Sequence, residues 1–377
     1  MRGRNNIGIF PLRGKVMNTR NASTKQITGN TEITNIIQIL NLKHGKDYTK
    51  QENYNELNYG KLMLLTDQDL DGFHISGLLI NFIHNMFPSL IKRGDFLLGM
   101  MTPIVNITLN NKIHRFYTLK ESEEFLRENE GKNMKVKYLK GLGSSSDSDI
   151  KQTFGKRMLN YINDNNTDKT INKVFNSKNA DERKRWMEEF DNNKSLSFDT
   201  SQTYMPVDIS EFLDLEMIKF SIDDCLRSIP HIYDGLKQSQ RKILYAANLK
   251  GRGNFIKVFQ LGGFVAEKTN YHHGDMSMNE TIIKMANEYV GCNNIPLLER
   301  DGQFASRLNF KDAGAPRYIS TRVDKIVANI FPKEDNGLLN YINDDGDIVE
   351  PEYYVPIIPM LLVNGSTGIG SGWSTKI

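Results

Sequence analysis

KLMLLTDQDLDGFH, running from Lys61 to His74, places Asp67, Asp69 and Asp71 directly behind a short apolar run. Leu62, Met63, Leu64 and Leu65 are continuous rather than alternating, the pattern of a strand buried on both faces of a parallel sheet. The chain then changes to helical spacing, with Ile75, Leu78, Leu79, Phe82, Ile83, Met86 and Phe87 on one stripe. Strand, acidic loop and helix make an α/β unit, and ligands gather at such strand ends. Three carboxylates within five residues repel one another until a cation neutralises them, and hard oxygen donors completed by water suit Mg2+. A calcium EF-hand loop also begins DxDxDG. It needs a bidentate glutamate at its twelfth position, which counted from Asp67 is Leu78, and a helix in front rather than a strand.

Working outward, an α/β block extends to about residue 155. Ile33, Ile36, Ile37 and Leu40 form a helical stripe after Thr31, and Phe96–Leu98, Ile104–Leu109, Phe116–Leu119 and Met134–Tyr138 read as short strands bounded by Gly, Pro or Asn. KGLGSSS, Lys140–Ser146, joins a lysine to glycines and hydroxyls, a loop able to hold a phosphate through backbone N–H groups and a point charge. Residues 156–205 are polar and Asn-rich, with a charged helix around Asp181 to Phe190, and read as a connector. From residue 206 the character changes. Asp275 is placed to cap a helix bearing Met278, Ile282, Met285 and Tyr289, with Gly291 as its stop. Helices followed by a basic, Gly-punctuated hairpin suggest a winged helix-turn-helix, a fold that sets one helix in the DNA major groove.

Composition bounds the reading without naming a function. The 377 residues suit two or three domains, and 39% apolar with 25% charged residues describe an ordinary globular chain. Net charge is only +3, but Arg227 to Lys257 carries seven basic residues (Arg227, Lys237, Arg241, Lys242, Lys250, Arg252, Lys257) against Asp234, a segment suited to a phosphate-rich partner. Two cysteines, Cys225 and Cys292, are too few for a disulfide framework or a zinc site. No apolar run approaches the ~20 residues of a membrane span, and MRGRNN lacks the apolar core of a signal peptide. An intracellular protein is expected, so the sequons at Asn21, Asn106 and Asn364 are read as accidents of composition.

A family resemblance gathers these signals. The aspartate run resembles the acidic motif of a TOPRIM domain, and PLRGK (Pro11–Lys15) and KGLGSSS resemble its flanking elements. DGLKQSQRK, Asp234–Lys242, is similar to the DGLKPxQRK of type IIA DNA topoisomerases. APRYIST, Ala315–Thr321, resembles the segment carrying the nucleophilic tyrosine in the eukaryotic and large-virus branch, and IIPMLLVNGSTGIGSGW, Ile357–Trp373, resembles the family's stretch downstream of that tyrosine. Six motifs run in family order over nearly the whole chain. The resemblance implies a Rossmann-like parallel TOPRIM sheet over residues 1–155, truncated at its N-terminal end, then the connector 156–205. It further implies an α+β winged-helix domain over 206–345 and the start of a tower domain over 346–377. Small departures are Gln238 where the family has Pro, Leu70 within the aspartate run, and Phe73 where it has Ser.

The implied activity is DNA cleavage and religation. Tyr318 attacks a phosphodiester, forming a 5′-phosphotyrosyl link and leaving a 3′-hydroxyl, so the break stays reversible. A tyrosine hydroxyl with its pKa near ~10 is a poor nucleophile at neutral pH until a base or cation favours the phenolate. Arg317 is adjacent to neutralise the phosphate, and His272 or His273 is placed to donate to it or move the proton. Asp67, Asp69 and Asp71 would hold Mg2+, two ions per site, to stabilise the leaving oxygen. Lys15, Lys140, Lys237, Gln240, Arg241, Lys242 and Gln303 fall to DNA binding, and Ile369 resembles the wedge that enters a base step and bends the duplex. The partners implied are double-stranded DNA and a second copy of the chain, since metal site and tyrosine act from opposite subunits. ATP would be used by ATPase domains which, like the exit gate, belong to the same enzyme in cis or as separate chains. The family's EGDSA glutamate is expected ahead of Met1, the first acid here being Glu32 in a helical stretch. Localisation follows the source: nuclear if eukaryotic, host cytoplasm or virion if viral. Two alternatives stay open, an inactive DNA-binding remnant and another TOPRIM nuclease or primase, the latter needing neither Tyr318 nor DGLKQSQRK.

Overall fold

The computed structural model describes residues 6–139, 141–197, 202–344 and 346–377. The chain divides into two units, Met1–Ile222 and Asp223–Ile377.

In the first unit, four strands lie in the order Leu62–Leu64, Leu97–Met100, Met158–Ile162, Tyr204–Asp208. Leu62 pairs Leu97 and Met158 pairs Tyr204 in parallel, but Leu98 pairs Asn160 antiparallel. The expected parallel sheet is therefore mixed. Between Met100 and Met158 the chain builds a second, antiparallel sheet, Val105–Leu109 between Lys112–Phe116 and Met134–Tyr138, instead of a helical crossover, so it returns in the opposite direction. Strand Leu62–Leu64 lies at an edge of the described sheet and Leu65 is 41% exposed, so the apolar run is not buried on both faces. Helix Leu70–Met86, by contrast, buries every residue from Ser76 to Ile83, because it is packed on more than one side.

Residues 156–205 differ from the expected connector. They supply the whole of strand Met158–Ile162 and the start of Tyr204–Asp208, and helix Thr167–Phe175 buries Ile171, Val174 and Phe175. The Asn-rich composition concealed a short apolar stripe at helical spacing. Of the expected strand Phe116–Leu119 only Phe116 is in a strand, as the end of Lys112–Phe116. Thr118 and Glu121 form a reciprocal capping box that starts helix Leu119–Glu128, so local cap chemistry overrode the apolar residues.

A polar seam crosses this core. Arg20 donates to Asn81 Oδ1 (3.2 Å) and to His84 Nδ1 (3.0 Å), while His84 Nε2 meets Asp168 at 2.7 Å. With Arg20 donating to Nδ1, the ring proton sits on Nε2 and the imidazole is neutral. Burial, the largest influence, holds its pKa below the ordinary histidine value despite Asp168. The unfolded chain thus binds the extra proton first, and stability is present above about pH 6.5 and lost as pH falls through the depressed folded value. Thermal midpoints should drop as pH falls below about 6.5 and do so less steeply in His84→Gln. Parallel pH profiles for the two proteins would refute this.

In the second unit, helices Gln238–Lys250, Val258–Thr269 and Asp275–Ala286 pack with a small antiparallel sheet in which Ser320–Val323 runs between Ile256–Lys257 and Leu298–Asp301, a winged-helix arrangement. Ile243, Leu244, Leu261, Val265, Ile282, Leu298 and Ile319 form its core, which Tyr354 and Met360 join. Gly274, not Asp275, is the cap of the third helix, which stops at Ala286, so Tyr289 and Gly291 lie beyond it.

Candidate active site

In the first unit, three of the sequence motifs meet. Asp69 caps helix Leu70–Met86, its Oδ1 accepting from Gly72 N at 2.7 Å. The turn demands glycine, because a Cβ on Gly72 would lie 1.9 Å from the Asp67 carbonyl oxygen. Asp67 Oδ1 accepts from Leu142 N at 2.6 Å, and Gly141, at φ +73°, leaves no room for a side chain against the same carboxylate. KGLG is thus folded onto the aspartate run, although Lys140 itself lies outside the described residues. From PLRGK, Lys15 Nζ reaches Asp71 Oδ1 at 2.7 Å and stands 4.2 Å from the Phe220 ring, whose face also stacks on His74. Among the described residues no three His, Cys, Asp or Glu side chains converge closely enough to hold a metal alone. The donor set still fits Mg2+, which takes one or two carboxylates and completes its shell with water and phosphate oxygens.

The second unit carries Tyr318, the residue expected to be the nucleophile. Tyr318 is 67% exposed, just before the central strand, its N–H donating to Ala315 O at 2.8 Å. Lys257 Nζ donates to the Tyr318 carbonyl at 2.9 Å, and the Arg317 guanidinium lies 4.8 Å from the Tyr318 ring centre. One exposed cation, Arg317, thus faces an exposed phenol while a second, Lys257, holds its backbone, and a guanidinium so placed can neutralise an incoming phosphate. His272 and His273 are exposed between the second and third helices, with His273 Nε2 3.5 Å from Arg227. Gln303 is exposed, and its carbonyl closes a loop by accepting from Gly314 N. Ile369 stands 75% exposed on the hairpin Thr367–Ile369/Ser374–Lys376.

Two DNA-binding assignments are corrected. Arg241 is 5% exposed, and its guanidinium is engaged by Asp234 (2.8 and 3.1 Å) and Leu236 O (2.9 Å). Lys242 is also buried, on Glu350 (2.8 Å) and Thr269 O (2.6 Å). Neither can reach a phosphate without breaking a buried ion pair. Gln240 is half-buried, with Oε1 accepting from Lys237 N at the helix start, while Lys237 stays half-exposed. Of the seven basic residues counted from Arg227 to Lys257, Arg227 and Arg252 also have acidic partners, Asp223 and Glu299, so the local positive field is much weaker than the count implies. The counter-ions Asp234 and Glu350 went unread as structural residues. Asp234 had a signal, lying seven positions before Arg241, but Glu350 is 108 positions from Lys242 and had none.

Comparison with known proteins accounts for the whole chain. The family profile of DNA gyrase/topoisomerase IV, in its A-type subunit, matches residues 227–377, and the profile "C-terminal associated domain of TOPRIM" matches residues 100–225. A DNA topoisomerase 2 of Invertebrate iridescent virus 6 is 42% identical over 390 residues, covering 100% of this chain and 34% of the relative. Human DNA topoisomerase 2-alpha is 44% identical over 389 residues, covering 100% of this chain and 25% of the relative. The chain thus spans about a third or less of the length of these curated relatives. A crystal structure of the Plasmodium falciparum topoisomerase II DNA-binding, cleavage and re-ligation domain superposes with a TM-score of 0.80 at 41% identity, over 98% of this chain and 50% of that one.

Proposed function

This chain belongs to the type IIA DNA topoisomerases, and from that premise we propose that it is their DNA cleavage–religation core. Tyr318 attacks a backbone phosphate of duplex DNA, forms a 5′-phosphotyrosyl link and releases a 3′-hydroxyl that later reverses the step. The observation that carries this reading is the exposed Tyr318 ring facing Arg317, on a backbone whose carbonyl Lys257 holds. Arg317 neutralises the phosphate as it gains charge, Lys257 fixes the backbone that carries the nucleophile, and His272 or His273 serves proton movement or donates to the phosphate. Asp67, Asp69 and Asp71 would hold Mg2+, which supplies charge stabilisation at the leaving 3′-oxygen. Lys15 and Gln303 contact DNA beside these groups, with Lys140 and Lys237 as further backbone contacts, and Ile369 is the wedge. The protein works inside the cell as a homodimer. ATP drives the complete reaction through ATPase domains of the same enzyme. No helix among the described residues is long and apolar enough to cross a membrane.

Trapping with denaturant on supercoiled plasmid and Mg2+ tests the reading. Linear DNA with protein on its 5′ ends supports it, and protein on 3′ ends overturns it. Binding should also weaken with salt by about 0.9 log units per log unit for each phosphate neutralised, and Lys237→Met should lower that slope by about this amount. An affinity indifferent to salt would point to a different surface.

A further inference from the structure

Strand alternation places Ile369 on the side of its hairpin opposite Gly368 and Gly370. Both glycines press on the end of helix Ile218–Ser228. A Cβ on Gly368 would come within 2.6 Å of Ser228 O and 2.9 Å of Pro230 Cδ, and one on Gly370 within 3.0 Å of Cys225 Sγ and 3.1 Å of its Cα. Two hydrogen bonds close the contact: the Ser371 hydroxyl donates to Asp224 Oδ2 at 3.1 Å, and the Cys225 thiol donates to the Ser371 carbonyl at 3.4 Å. The hairpin is braced within itself as well, Gly370 N donating to Trp373 O and Ile377 N to Ser366 O, each at 2.9 Å.

We propose that Asp224 and Ser371, with Cys225 beneath Gly370, are positioning residues that clasp this hairpin and fix the height at which Ile369 projects. The inference rests on the reading of Ile369 as a DNA wedge. Its physical basis is a competition of costs. Opening a base step is costly, so an apolar tip unstacks bases only if its support yields less readily than the stack. Side-chain-free contact at two successive inward positions, locked by a hydroxyl on a carboxylate, gives the hairpin that support. Asp224 acts through Ser371 and touches no DNA in this scheme.

The test uses the full chain in a Trp186→Phe background, so that Trp373 in the hairpin is the sole tryptophan. Trp373 emission without DNA reports hairpin seating, energy transfer between dyes on the two duplex ends reports bending, and anisotropy reports affinity. Ser371→Ala and Asp224→Ala are each expected to shift the emission and lower the bend by roughly a third, with affinity reduced less than about threefold. Asp224→Asn keeps an acceptor for the Ser371 hydroxyl and should bend DNA as the parent does. Unchanged emission and bend in both alanine variants overturn the clasp, and shifted emission with a parental bend overturns its positioning role. Ile369→Ala separates the layers. If that variant bends DNA normally, the wedge reading beneath the proposal fails, whatever Trp373 shows of the clasp.

Discussion

Tyr318→Phe is expected to reduce covalent protein–DNA adducts to the background of a reaction without Mg2+, while leaving fold and DNA affinity intact. The substitution removes one oxygen from a ring that is already 67% exposed, so neither a cavity nor an unsatisfied buried group results. The ring that faces Arg317 remains, as does the backbone carbonyl that accepts from Lys257. Only the hydroxyl proposed as nucleophile is lost. No other residue of APRYIST supplies an equivalent aromatic hydroxyl, and Ser320 and Thr321 are buried in the next strand. Arg317→Lys should behave differently, keeping the charge but losing the planar fork, and so slow adduct formation without abolishing it. Adducts precipitated with detergent and resolved on a gel decide the matter. An undiminished yield from Tyr318→Phe would remove Tyr318 from the chemistry.

What was legible in the sequence divides along physical lines. That the aspartate run, PLRGK and KGLG belong together could be read because the roles expected of them need particular residue types at short spacing, and the structure brings the three into contact through Lys15–Asp71 and Leu142–Asp67. Helix Leu70–Met86 announced itself by periodicity, and strand Met134–Tyr138 by its boundaries. Direction within the sheet was not legible, because a short apolar run such as Leu97–Met100 looks the same whichever way its neighbour runs. Nor was the fate of a basic residue. Arg241 and Lys242 sit in a motif that reads as a cationic patch, and only Asp234 and Glu350, supplied by the fold, reveal them as buried. Lys257 looked no different in the same count and is exposed beside the tyrosine.

That distinction yields the second large effect. Glu350→Gln should strip the buried Lys242 ammonium of its counter-charge, leaving it only neutral acceptors, Thr269 O and the glutamine amide oxygen. Breaking one side of a buried pair costs about 3–5 kcal/mol, because the remaining charge still lacks water. In a unit of this size each kcal/mol lowers the melting temperature by about 2–4 °C, so the loss should be on the order of 10 °C. Replacing both partners, Lys242→Met with Glu350→Leu, removes the uncompensated charge and should recover most of that loss. Meanwhile the salt slope of DNA binding, measured below the melting range, should be the same in the double variant as in the parent. If Lys242 were a phosphate contact, the reverse pattern would hold: the slope would fall by about one and stability would barely move. The two roles thus predict opposite results from one pair of proteins. The geometry favours the structural one, since an ammonium held by a carboxylate that is 0% exposed has to be dragged out of the core before DNA could use it.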